Sequence, residues 1–168
     1  MASGDIKLAY ATSVSATVTN LHSLPTSATW VAGWSSADID NTTNLYEDVL
    51  VQAIVKVAAA GLSVGEIRLY AVAESDDTTW PDVITGSEAT KTFTNTNMRD
   101  AVCRLLCATT TATTANLVYP LSGGSVAAAF GGSLPRKFVL FIAHSTGANL
   151  AASGNAVYTK GVYRTVAP

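Results

Sequence analysis

Two histidines, His22 and His144, and two cysteines, Cys103 and Cys107, are the side chains here best suited to nucleophilic or metal chemistry. A zinc centre takes three or four Cys, His or carboxylate ligands, and these four residues share no ligand spacing. If Cys103 and Cys107 lie on one strand, about 13 Å separates them, too far for a disulfide. Free buried thiols are the expectation. His144-Ser145, with Asp48 far upstream, supplies the residue types of a hydrolytic triad. The segment Ala143-His144-Ser145-Thr146-Gly147 lacks the glycine two places before the serine that a nucleophile elbow requires. Carboxylates gather in two stretches, Asp38/Asp40 and Asp76/Asp77/Asp82, and such oxygen donors suit Ca²⁺. Neither stretch has EF-hand spacing, and Asp and Asn favour turns for backbone reasons alone. Trp30, Trp34 and Trp80 have ring faces that could stack on sugars, although aromatics of a β-sandwich are commonly core residues. Asn41-Thr42-Thr43 is formally a glycosylation sequon, incidental in a chain that shows no export signal. Gly131-Gly132 is followed by no Gly-Lys-Ser/Thr and is not a phosphate loop. The residues therefore predict no catalytic, cofactor-binding or metal-binding set, and a protein that is not an enzyme.

The elements holding these residues read as strands. From Leu45 the odd positions Val49, Val51, Ala53, Val55 and Val57 are apolar, while Tyr46, Asp48, Gln52 and Lys56 alternate with them. That period of two marks a half-buried strand. Glu66 to Glu74 repeats it, with Ile67, Leu69, Ala71 and Ala73 on one side. With a short link between them, these two strands are expected to form a hairpin. Further strands are expected at Ile6 to Ala11, Val14 to Val18, Ala28 to Trp34 (with Trp30 and Trp34 on one side), Asn116 to Leu121 and Ala156 to Val166. Asn116 to Leu121 should stop at Pro120 and Gly123-Gly124, and Val126 to Gly132 should be a bend. Phe138 to Ala143 is continuously apolar, as a central strand covered on both faces would be. Ser75 to Glu88 reads as an exposed loop. In Asn97 to Cys107, Asn97 and Asp100 suggest a helix start, but the flanking Thr runs favour a strand, which is the expectation adopted. The fold class is all-β: an antiparallel β-sandwich of jelly-roll or Greek-key type. Residues 1–25 are expected to form an N-terminal arm and 26–168 the sandwich, since Leu24-Pro25 reads as a break.

Composition narrows the partners. The 168 residues carry a net charge of -2, and the ten Lys and Arg are scattered, which argues against nucleic acid. No apolar run approaches the ~20 residues that span a bilayer as a helix. Only 13% of residues are charged, against a typical ~25%. A surface that poor in charge is expected either to be covered by other subunits or to be kept soluble by Ser, Thr and Asn.

Three segments carry a resemblance. They are Ser35-Ser-Ala-Asp-Ile-Asp-Asn-Thr-Thr-Asn-Leu-Tyr-Glu-Asp-Val-Leu50, Gly65-Glu-Ile-Arg-Leu-Tyr-Ala-Val-Ala73 and Val126-Ala-Ala-Ala-Phe-Gly-Gly-Ser-Leu-Pro135. In that order, and continued by Thr146 to Leu150 and Asn155 to Tyr163, they resemble small structural proteins of tailed-bacteriophage virions, of the capsid decoration or cement type. The resemblance covers most of residues 35–165 and rests on small and aromatic residues, not on a catalytic signature. It implies a virion protein made in the host bacterial cytoplasm that binds the outside of the assembled head. Its implied partners are the major capsid protein and further copies of itself, as a homotrimer, with no nucleic acid, membrane or cofactor. The alternative is a tail-tip or head-fibre-like module that binds a host surface glycan.

Overall fold

The structure, a computed structural model, describes residues 4–166. Two antiparallel sheets face each other. Sheet A contains β1 (Ile6–Tyr10), β2 (Val14–Ser15), β5 (Asp48–Lys56), β9 (Val118–Ser125) and β11 (Ala156–Val166), in the order β1-β11-β5-β9 with β2 also on β11. Sheet B contains β3 (Ala32–Ser35), β4 (Ile39–Asp40), β6 (Gly65–Ala73), β7 (Ala89–Thr92), β8 (Cys103–Thr111) and β10 (Lys137–His144), in the order β7-β3-β10-β6-β8 with β4 on β10. This is the expected all-β sandwich.

The period-two strands do what their pattern dictates. Val49, Val51, Ala53 and Val55 of β5 and Val57 just beyond it meet Ile67, Leu69, Ala71, Phe138, Leu140 and Ile142 across the two sheets to form the main core. β10 lies in mid-sheet, buried on both faces, as its unbroken apolar run requires. Its outward residues Val139, Phe141 and Ala143 join Tyr70, Val72, Phe93 and Cys103 in a second cluster on the far side of sheet B. Trp30, Trp80, Val83 and Ile84 pack over that cluster, so the 74–88 loop is a cover rather than a solvated excursion.

Several expectations are corrected. β5 and β6 do not form a hairpin. β5 pairs with β11 and β9, and β6 with β10 and β8, so the link from Val57 to Val64 is an arch between sheets. Residues 97–107 are not one strand. Asn95 caps a short helix, α1 (Thr96–Val102), its side-chain oxygen accepting the Met98 N–H at 2.9 Å, and β8 begins only at Cys103. The cap lies two residues before the Asn97 considered from sequence, and the Thr run upstream supplies β7 instead. β9 runs through Pro120 and both glycines. Pro120 is tolerated because β9 is the last strand of its sheet, and Gly123 falls at a bulge opposite Val51/Gln52. Val126–Ala129 is a helical turn, α2, capped by Ser125. The stretch before β3 is a turn in which Trp30 takes a positive φ of 55°, so Trp30 and Trp34 do not share a strand face. Finally, within the expected arm 1–25, residues 4–25 are not apart from the core. Leu21 and Leu24 are 0% and 2% exposed in the main core, and β1 pairs along its whole length with β11. Met1 to Ser3 lie outside the described residues.

Candidate functional site

The hydrolytic candidates are each committed elsewhere. His144 ends β10 wholly buried, with Nε2 3.0 Å from the Leu24 carbonyl and Nδ1 3.0 Å from Thr146 Oγ1. A carbonyl only accepts, so the proton belongs on Nε2, and the neutral ring accepts the Thr146 hydroxyl at Nδ1. Burial pushes the His144 pKa down, which favours that neutral form. Ser145 Oγ accepts the Glu66 N–H at 3.0 Å. Asp48 Oδ1 accepts the N–H groups of Val49 and Ala127 at 2.7 and 2.9 Å. No proton relay links the three. His22 Nδ1 accepts from Asn155 Nδ2 at 3.0 Å, and Asn155 Oδ1 accepts the Lys56 N–H at 2.8 Å.

Cys103 and Cys107 are free thiols on β8, the first in the second cluster and the second against the main core. Burial pushes the Cys103 pKa up to about 12 and raises that of Cys107. Both therefore stay protonated near neutral pH, the unreactive form.

The loop carboxylates hold their own turns. Asp76 Oδ1 accepts the Thr78 and Thr79 N–H groups at 2.7 and 2.6 Å, and those backbone bonds pull its pKa down. Asp82 binds Thr94 through backbone and hydroxyl, and Asp77 pairs with Arg136 at 2.8 Å. Among the described residues no three His, Cys, Asp or Glu gather to hold a metal. Asn41 closes its loop from within, giving Nδ2 to the Tyr46 carbonyl and taking the Tyr46 N–H on Oδ1. A glycan on Nδ2 would break that closure.

Nor do the tryptophans form a stacking platform. Trp34 is fully buried and gives its indole N–H to Glu88 at 2.7 Å, while the same carboxylate takes the Asn20 backbone and side chain. The Arg68 guanidinium covers the Trp30 ring at 3.7 Å from its centroid. Trp80 lies over Gly86, where a Cβ would come within 2.9 Å of its ring nitrogen.

What remains open is the outer face of sheet A. Cross-strand partners share a face, so the pairs Ile6–Val166, Leu8–Arg164 and Tyr10–Val162 place these side chains together. The face continues through Lys160 and Tyr158 on β11, Leu50, Gln52 and Ile54 on β5, and Pro120 and Val118 on β9. Ile6, Leu8, Tyr10 and Val166 are 67, 57, 54 and 63% exposed, against almost complete burial of the residues on the opposite side of β5. Leu50, Gln52, Ser122, Gly124, Tyr158 and Lys160 line a shallow groove across its middle. Among the described residues the bulky cover, Trp30, Trp80, Val83 and Ile84, lies over sheet B. The alternation Ile6-Lys7-Leu8-Ala9-Tyr10 was visible in the sequence, but not that its apolar side would face outward. That depends on which sheet face the distant 74–88 loop covers.

No family model, characterised protein or solved structure matches the chain. The fold and surface define an all-β sandwich in which loops cover much of the outer face of sheet B, with Leu105 of β8 left exposed there. Among the described residues no loop packs over the outer face of sheet A, where apolar side chains stand among Gln52, Lys160 and Arg164.

Proposed function

We propose that this protein is a non-enzymatic virion structural protein of the capsid decoration type, binding the outside of an assembled tailed-phage head through the outer face of sheet A. The observation that supports the reading is the asymmetry between the sheets: loops cover most of the outer face of sheet B, leaving Leu105 as its exposed large apolar residue, while sheet A presents Ile6, Leu8, Tyr10, Tyr158 and Val166 to solvent. Exposed apolar side chains gathered on one sheet face mark a surface suited to a partner. The resemblance of residues 35–50, 65–73 and 126–135 to virion decoration proteins supports the major capsid protein as that partner. Anything that binds the assembled shell and not its dissociated subunits stabilises the shell by mass action, so the role requires a docking face and no active site.

The test is to mix the purified chain with tailed-phage heads lacking it, then pellet them and locate the bound chain by cryo-electron microscopy. Saturable binding with sheet A toward the shell is expected, and Tyr158→Glu should weaken it about tenfold or more by burying a carboxylate in the contact. Failure to bind heads, or binding to a host glycan instead, would overturn the reading.

A further inference from the structure

The open edge of sheet A has its own chemistry. Ala11 gives its N–H to Gly161, Ala16 gives its N–H to Val157, and Ser13 Oγ donates to Thr159 O, so the odd residues of β11 direct their peptide groups toward β1 and β2. In an antiparallel ladder the hydrogen-bonded pairs alternate. Lys7 and Ala9, opposite Thr165 and Tyr163, therefore face β11, and the N–H and C=O groups of Ile6, Leu8 and Tyr10 face away from it. Among the described residues β1 pairs with β11 alone, so these outward groups meet no strand. Such an edge is a template for another strand, and proteins usually blunt it with Pro, a bulge or charge. Of the other edge strands, β7 is only four residues long, β9 carries Pro120 and a bulge, and β8 lies beside β9. β1 has no proline and no bulge, and Lys7 is its only charge.

We propose that β1 pairs with β1 of a second copy about a two-fold axis, joining the two A sheets into one continuous sheet. The sequence of β1 favours its own copy because it is self-complementary when read antiparallel. In the register that pairs the strand over its whole length, Leu8 meets Leu8 of the second copy, and Ile6 meets Tyr10 of the second copy. These are the residues whose peptide groups are unpartnered. All their side chains stand on the outer face, where aromatic and aliphatic cross-strand pairs are favourable. Lys7 falls opposite Ala9 of the second copy, so no like charges are opposed. A register shifted by two residues would centre on Lys7 and set two ammonium groups against each other. The axis closes the assembly at two copies, unlike the trimer that the resemblance implies. A five-residue strand pair buries less than the ~1,200 Å² typical of stable complexes, so the dimer is reversible, with a Kd on the order of 10 µM or weaker. This inference stands on the edge geometry and does not need the proposed function.

Sedimentation velocity from about 1 µM to about 1 mM brackets that affinity. The mass is expected to rise from 17.4 kDa toward twice that value. Leu8→Pro removes an N–H that no intrachain bond uses, so β1 stays on β11 while the open edge is blocked. Leu8→Lys places like charges at the axis and should weaken association about tenfold. With Cys103 and Cys107 replaced by Ala, Leu8→Cys should form a disulfide-linked dimer on oxidation, and Lys7→Cys should not. A monomer throughout the range, a mass three times the chain, a dimer persisting in folded Leu8→Pro and Leu8→Lys, or equal cross-linking at residues 7 and 8 would each overturn the proposal.

Discussion

His144 shows how a residue that looks catalytic in sequence becomes structural once its partners are known. The clamp it forms ties the end of β10, together with Thr146 two residues on, to Leu24, 120 residues earlier in the chain. Thr146 Oγ1 also lies 3.1 Å from Ala148 O, a second acceptor for its single proton. Burial lowers the His144 pKa, so the unfolded chain binds a proton more readily than the folded one. The stability tied to His144 is therefore fully present above its unfolded pKa of about 6.5, and is lost as pH falls from there toward the lower folded value. Urea unfolding at pH 7.5 and pH 5 should show a lower midpoint in acid, and His144→Gln should flatten that difference while lowering stability at both pH values. An unchanged difference in the variant would place the acid sensitivity in another group. None of this was legible in Ala143-His144-Ser145. The sequence shows a His after an apolar strand, and only the fold shows a carbonyl from residue 24 waiting for it.

At the scale of elements, period two was a reliable guide to which side chains a strand buries, and a poor guide to which strand it pairs with. The odd positions of β5 and β6 are buried as read, yet the two strands lie in different sheets. A link of eight residues fits a hairpin loop or an arch between sheets, and no local residue decides between them. Helix α1 was missed because its cap, Asn95, ends a Thr run whose strand propensity is also expressed, in β7. Gly161 lies inside the last strand, where a glycine is ordinarily weakening, and its reason is packing across the sheet. A Cβ there would come within 2.4 Å of the Tyr46 ring, and Tyr46 cannot simply retreat because Asn41 holds both its N–H and its C=O. Gly161→Ala should cost about 1–3 kcal/mol by overpacking, measured in urea. Trimming the ring, in the pair Gly161→Ala with Tyr46→Ala, should recover part of that loss, since contacting residues couple. Additive losses in the double variant would show that the ring is not the obstacle.

The whole molecule closes through its ends. Among the described residues no two strands that follow each other directly in the chain are hydrogen-bonded neighbours. β11, the last strand, lies between β1 and β5, and the chain returns to sheet A at β5, β9 and β11 after passing through sheet B. Such a fold has few local contacts to nucleate it, and sheet A stays incomplete until β11 arrives. The N-terminal stretch is needed in the same way. Removing residues 1–25 deletes β1 and β2, empties the core positions of Leu21 and Leu24, and takes away the Leu24 carbonyl that receives the His144 N–H. A single buried Leu→Ala costs about 2–5 kcal/mol, and whole domains have only about 5–15. The fragment 26–168 is therefore expected to lose its cooperative urea transition, and a chain ending at Asn155, which lacks β11, should do the same. Full-length Leu21→Ala should keep a single transition at a lower midpoint. The measurement is far-UV circular dichroism against urea for the three variants. A fragment 26–168 that unfolds cooperatively at the full-length midpoint would show that residues 1–25 add nothing to the core, and that the sandwich ends where the Leu24-Pro25 break suggested.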